Sequence, residues 1–267
     1  MPIPILDATA WREYRGQPGR AGMNSTHIAT IADASGFERL CFVKLAPDPN
    51  MPTLLCEAMG WVLAGHAGLT RPPFVAIVMV DVAKLHKSQA LPSKVVNSGE
   101  PFCAAWCSQA LAGKSVSQPN MGDLITDRKA FLRAMDSRKI AAFDEWTNLR
   151  DRNLGNVIRM NKGGYGVIDN ETFLYDYLWP KSIALNSNRL IVDAKTALDS
   201  KNYTRFKVEM ANAAKGHTGA LASAEVDLES ILRLIVPSAL TAKETIFSLL
   251  EGRCKDDWLQ KRLQVMA

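Results

Sequence analysis

The hydrophobic periodicity of this chain changes part-way along its 267 residues, and that change limits the class of fold it can adopt. Up to about residue 110 the apolar positions form short β-branched and aromatic runs bounded by turn residues. Residues 27–32 and 37–45 flank Asp33-Ala34-Ser35-Gly36, which predicts an antiparallel hairpin. Residues 53–67 place Leu54, Leu55, Ala58, Met59, Val62 and Leu63 at helical spacing, which predicts a helix. Residues 74–82 and 102–109 read as further strands, and the polar stretch 84–100 reads as a loop. Residues 113–122, rich in Ser, Gln, Pro, Asn and Gly, read as a connection between two parts.

Beyond that connection the pattern turns helical. A helix is predicted over 127–147, with Phe131, Met135, Ala142, Phe143 and Trp146 on one face. Residues 157–160 and 165–168, separated by Asn161-Lys162-Gly163-Gly164, predict a second hairpin. Helices follow over 201–214, 224–235 and 241–264, the last with Ile246, Leu250, Cys254 and Trp258 as its core stripe. The expected class is therefore α+β in two lobes, a β-rich N-lobe over 1–108 and a mainly helical C-lobe over 109–267.

Composition excludes several function classes. A hydrophobic share of 47% is that of a folded globular chain. No stretch is apolar and long enough for a transmembrane helix, so no membrane partner is expected. A net charge of +5, spread along the sequence, is too weak to predict direct nucleic-acid binding. Five scattered cysteines without a Cys-x-x-Cys pair predict free thiols in a cytoplasmic protein. Gly113-Lys114-Ser115 lacks the earlier glycine of a phosphate-binding P-loop, and His27, His66, His86 and His217 lack metal-ligand spacing.

The segment that carries chemistry is Asp151-Arg152-Asn153-Leu154-Gly155-Asn156, with Asp169 beyond the second hairpin. Phosphoryl transfer needs a carboxylate to orient or deprotonate the attacking hydroxyl, the role open to Asp151. It also needs oxygen ligands for Mg²⁺ on the ATP phosphates, the roles open to Asn156 and Asp169. Upstream, Lys44 lies in an otherwise apolar strand, where it can hold the phosphates, with Phe42 on the same strand face to cover an adenine. Glu57, a carboxylate among apolar helix residues, needs a partner, and Lys44 is the candidate. Gly22-Met23-Asn24-Ser25-Thr26-His27 occupies the place of a phosphate loop, with Asn24, Ser25 and Thr26 supplying amide and hydroxyl groups.

The stretch from Phe143 to Asn156, with Val167-Ile168-Asp169-Asn170 behind it, resembles the catalytic region of HipA-like kinases, bacterial relatives of the phosphoinositide 3-/4-kinase and protein-kinase fold. A weaker match takes in Phe42-Val43-Lys44, Glu57 and the segment from Gly68 to Phe74. The resemblance implies a two-lobed protein-kinase-like fold with Asp151 as catalytic base, Lys44 on the phosphates, and Asn156 and Asp169 on Mg²⁺. It places the backbone of Ala105-Trp106-Cys107 at the adenine edge. It further implies phosphorylation of Ser or Thr in a protein substrate and, for toxin-type members, a regulatory antitoxin partner. The residues alone leave open a small-molecule or lipid acceptor, and a pseudokinase that binds nucleotide without transfer.

Overall fold

The computed structural model describes residues 3–18, 26–48, 52–118, 123–179, 188–235, 239–255 and 257–266. The chain is mixed α and β, 50% helical and 21% strand. In chain order the elements begin with strands β1 (Ile5–Leu6), β2 (Trp11–Gly16), β3 (Thr26–Ala32) and β4 (Glu38–Leu45). Helix α1 (Thr53–His66), β5 (Val75–Asp81), the short helices α2 (Val82–His86) and α3 (Ser93–Asn97), and β6 (Phe102–Gln109) follow. Next come β7 (Gly113–Ser115), α4 (Leu124–Arg133), α5 (Met135–Trp146), β8 (Val157–Met160), β9 (Tyr165–Val167) and α6 (Tyr175–Leu178). Helices α7 (Arg189–Ala197), α8 (Ser200–Ala214), α9 (His217–Ile235), α10 (Ala239–Arg253) and α11 (Trp258–Leu263) complete the described chain.

Two compact units result, one of residues 1–54 and 72–110, the other of 55–71 and 111–267. The boundary near residue 109 reappears, but most of the Glu57 helix, expected with the N-terminal lobe, groups with the second unit.

The first unit is a six-stranded sheet in the order β1-β5-β6-β4-β3-β2. Only the β1–β5 pair is parallel. The expected β3–β4 hairpin is present. Asp33 builds its turn by accepting from the Ser35 and Phe37 N–H groups at 2.9 and 3.1 Å, while Gly36 supplies a φ of +83°. Hydrogen bonds from Ser35 and from Arg39 lower the Asp33 carboxyl to about 2. One sheet face gives the core: Ala29, Ile31, Cys41, Val43, Val78 and Ala105 are fully buried. The stretch 84–100 is not simply a loop, because α2 and α3 bring Leu85 and Val95 into that same core.

In the second unit, β7, β8 and β9 form a three-stranded sheet. The expected β8–β9 hairpin is present, with Gly163 and Gly164 at φ of +92° and +78° in its turn. Strand β7 lies where a connection was expected. Its glycine, a residue that weakens a strand, is there because a Cβ on Gly113 would stand 2.1 Å from the Arg159 carbonyl oxygen. The helix expected over 127–147 is two helices broken at Ala134, whose extended backbone frees its carbonyl to accept from Ser137 and Arg138. The helix expected over 241–264 is also two. Ile246, Leu250 and Cys254 are buried as the stripe predicts, but Trp258 opens α11 after a charged stretch that offers no apolar residue to the core. Among the described residues no helix is long and apolar enough to cross a membrane. All five cysteines are buried and none forms a disulfide.

Candidate functional site

Asp151 follows α5 in a loop that folds back on itself. Its carbonyl oxygen accepts from the Asn153 N–H at 2.8 Å and from the Asn156 side-chain amide at 3.4 Å. The Asn153 side chain accepts from the Gly155 N–H at 2.7 Å, capping a single 3₁₀ turn over Leu154–Asn156. A Cβ on Gly155 would stand 2.6 Å from the Asn153 Oδ1, so a larger residue there would have to displace this cap. With the Asn156 amide nitrogen turned to Asp151, its Oδ1 remains as an oxygen donor.

The hairpin then returns Asp169 to this loop. The Ile168 N–H donates to the Asn156 carbonyl at 3.1 Å, and the Asp151 N–H donates to the Thr172 hydroxyl at 3.2 Å. Asp151, Asn156 and Asp169, which are 5 and 13 positions apart in sequence and each half-buried, are thus brought together by one backbone–backbone bond and two bonds between backbone and side chain. Asp169 has φ +63°, the left-handed region that Asp tolerates better than most residues.

Arg152 links these segments. Fully buried, its Nε donates to both Asp144 oxygens at 2.8 and 3.1 Å. Its other two nitrogens donate to the Ile168 carbonyl at 2.7 Å and the Asn170 Oδ1 at 2.9 Å. Burial raises the Asp144 carboxyl to about 6, a shift that the Arg152 charge opposes. Glu57, also buried, accepts from the Asn170 N–H at 2.9 Å. The partner demanded by its apolar surroundings is therefore at least in part this backbone amide, which the sequence did not indicate. Arg152, Asp144 and Asn170 were also missed. The rule applied to Glu57 would have found Asp144, a carboxylate between Phe143 and Trp146 on a helix face that is wholly buried.

In the sheet unit, Phe42 and Lys44 share the face of β4 opposite the core, both half-buried. Lys44 is paired in register with Trp106 on β6 and with Thr26 on β3, so one of the three expected phosphate-loop groups stands beside the expected phosphate lysine. Asn24 and Ser25 lie outside the described residues. The placement of Ala105, Trp106 and Cys107 at an adenine edge needs correction. Strand β6 is flanked by β4 and β5, so the backbone groups of these three residues are committed to ladders on both sides. The chain leaves the sheet only after Gln109, where Ala110 still donates to the Leu40 carbonyl at 3.1 Å.

Two of the four histidines pack on aromatic rings: His27 receives the Trp11 indole N–H at 3.0 Å, and His217 stacks on Trp146 at 4.4 Å. Among the described residues no group of three or more His, Cys, Asp or Glu could hold a metal. The Asn156 and Asp169 oxygens are hard donors that suit Mg²⁺ when phosphate oxygens complete its shell, and they are too few to hold a metal unaided. No protein-family model matches this chain, and no curated protein is similar to it.

Proposed function

We propose that this chain is an ATP- and Mg²⁺-dependent phosphotransferase of HipA-like type, with Ser or Thr of a protein as acceptor. The observation that carries the reading is the closure of the Asp151–Asn156 loop against Ile168 and Thr172, which brings Asp151, Asn156 and Asp169 to one place. On this reading the sheet unit is the N-lobe and the helical unit the C-lobe of a kinase-like fold. Bound Mg²⁺ supplies charge neutralisation on the phosphate oxygens. Asp151 orients the acceptor hydroxyl and takes its proton. Asn156 and Asp169 would hold the metal, and the roles expected of Lys44 on phosphate and of Phe42 on the base belong to the same proposal. Catalysis of this kind rests on positioning and electrostatics rather than on a covalent enzyme intermediate. A regulatory partner of antitoxin type belongs to the same proposal.

The test is transfer from labelled ATP in a cell lysate containing Mg²⁺. A labelled protein band with the wild type, absent with Asp169→Ala and with Asp151→Asn, is the expected result and names the first acceptor. Equal labelling by Asp169→Ala defeats the metal-ligand assignment. Label appearing only in small molecules or lipid moves the acceptor class. A second reading, a pseudokinase that binds nucleotide without transfer, draws on the single glycine in the segment from Gly22 to His27. Nucleotide binding by a wild type that transfers no label would establish it.

A further inference from the structure

Asp169 is the one proposed metal ligand whose backbone is in a disfavoured region, and both of its neighbours are gripped by the same side chain. The Arg152 guanidinium donates to the Ile168 carbonyl on one flank and to the Asn170 Oδ1 on the other, at 2.7 and 2.9 Å. Asn170 is held three further ways. Its N–H donates to Glu57 at 2.9 Å, and its carbonyl accepts from the Phe173 N–H at 2.9 Å. Its side chain also lies so close to α1 that a Cβ on Gly60 would stand 2.4 Å from the Asn170 Cβ. Asn170 is 5% exposed, Glu57 2% and Arg152 1%, so no solvent competes for these bonds. A φ of +63° at a residue with a side chain costs on the order of 1 kcal/mol and persists only where the surroundings over-determine it.

We propose that Asn170, clamped by Arg152, Glu57 and Gly60, is a positioning residue that fixes the direction of the Asp169 carboxylate toward the metal. The inference rests on the phosphotransferase reading and deepens it, assigning roles to four residues outside the metal and acceptor sets. Arg152 suits this task because its planar fork reaches three partners at fixed angles, which an ammonium cannot do. It also ties the two halves of the site together, since its backbone adjoins Asp151 while its side chain brackets Asp169. Gly60 offers a handle on Asn170 that removes no hydrogen-bonding group. Alanine there is favoured by helix propensity yet must push Asn170 aside.

The experiment measures binding of a fluorescent N-methylanthraniloyl ATP by the full chain, in EDTA and across a Mg²⁺ titration, with thermal unfolding recorded alongside. The variants are Asn170→Ala, Gly60→Ala and Arg152→Lys. Losing the group that orients a metal ligand typically weakens metal affinity about 10–100-fold. The half-saturating Mg²⁺ concentration should therefore rise by about that factor in Asn170→Ala and Gly60→Ala, while binding in EDTA stays within about twofold of wild type. Arg152→Lys should show the same rise, because its charge is kept and only the fork is lost. A merely structural role would weaken binding in EDTA and in Mg²⁺ together, and that result overturns the proposal. So does a Mg²⁺ dependence unchanged in folded Gly60→Ala, with the functional reading left standing. A wild type that binds no nucleotide at all, with or without Mg²⁺, defeats both.

Discussion

The sheet unit buries Ala29, Ile31, Cys41, Val43, Val78 and Ala105 on one face, and no charged side chain among its described residues is buried with them. The helical unit buries Glu57, Arg138, Asp144, Glu145, Arg152 and Asp193 beside Phe131, Phe143 and Phe206. Burying a charge is costly unless it is paired and fully hydrogen-bonded, and a well-packed apolar pair in its place is often as stable or more so. A chain selected only to fold has no need of the second arrangement. Three of those six charged residues, Glu57, Asp144 and Arg152, belong to the network around Asp169 and Asn170. The contrast therefore distinguishes an apolar core from one built around a buried polar network, the one on which the proposed function draws.

The strongest way to break this contrast is Arg152→Met. It leaves the Asp144 carboxylate buried without its counter-charge and should cost about 3–5 kcal/mol in urea unfolding. A loss below about 1 kcal/mol would mean that the pair is not held as described. Pairing it with Asp144→Leu should restore much of that stability while phosphoryl transfer stays lost. Recovery of both would remove the functional reading of the polar core.

Acidity sharpens the same comparison. Burial raises Asp144 from 3.8 to about 6, so its contribution to stability is present below the unfolded value and lost as pH rises through about 6. Burial lowers His217 from 6.5 to about 4, so its contribution is present above 6.5 and lost as pH falls through about 4. Each amounts to at most about 3 kcal/mol, and the two oppose each other between pH 4 and 6. Comparing unfolding free energies at pH 4.5 and 7, Asp144→Asn should lose more stability on acidification than wild type, and His217→Phe less. Parallel pH slopes in all three proteins would show that neither group is shifted.

The sheet unit should respond to volume instead. Ile31→Val should cost about 0.5–1.5 kcal/mol and leave the Mg²⁺ dependence of nucleotide binding unchanged. A shifted Mg²⁺ dependence would show that its core is not purely structural. The smallest effect belongs to the exposed helix pair Arg205–Glu209, at 2.7 Å, where Arg205→Ala should cost about 0.3–0.5 kcal/mol and fade in high salt.

Short-range physics was legible in the residues. The β3–β4 and β8–β9 hairpins follow from alternation around turn-forming residues, and α1 from the spacing of Leu55, Met59, Val62 and Leu63. The ordered set Asp151, Asn156, Asp169 was visible because a loop and one hairpin are local enough to predict how they return the chain. Strand β7 was hidden by its glycine, which reads as loop until the Arg159 backbone is known to lie against it. The break at Ala134 was hidden because no proline or glycine announces it. The adenine-edge assignment failed because strand order is non-local: β6 is central only because β4 and β5 pair on either side of it.

What the sequence determined by itself is a mixed α and β chain, its main turns, and the ordered set Asp151, Asn156 and Asp169 held in one loop and one hairpin. What only the tertiary structure decided is which groups hold that set in place. Glu57 meets the Asn170 amide across 113 positions, and Gly60 is a glycine because Asn170 needs the space. Buried polar groups must find partners somewhere, but sequence spacing cannot name a partner that folding brings from the far side of the chain.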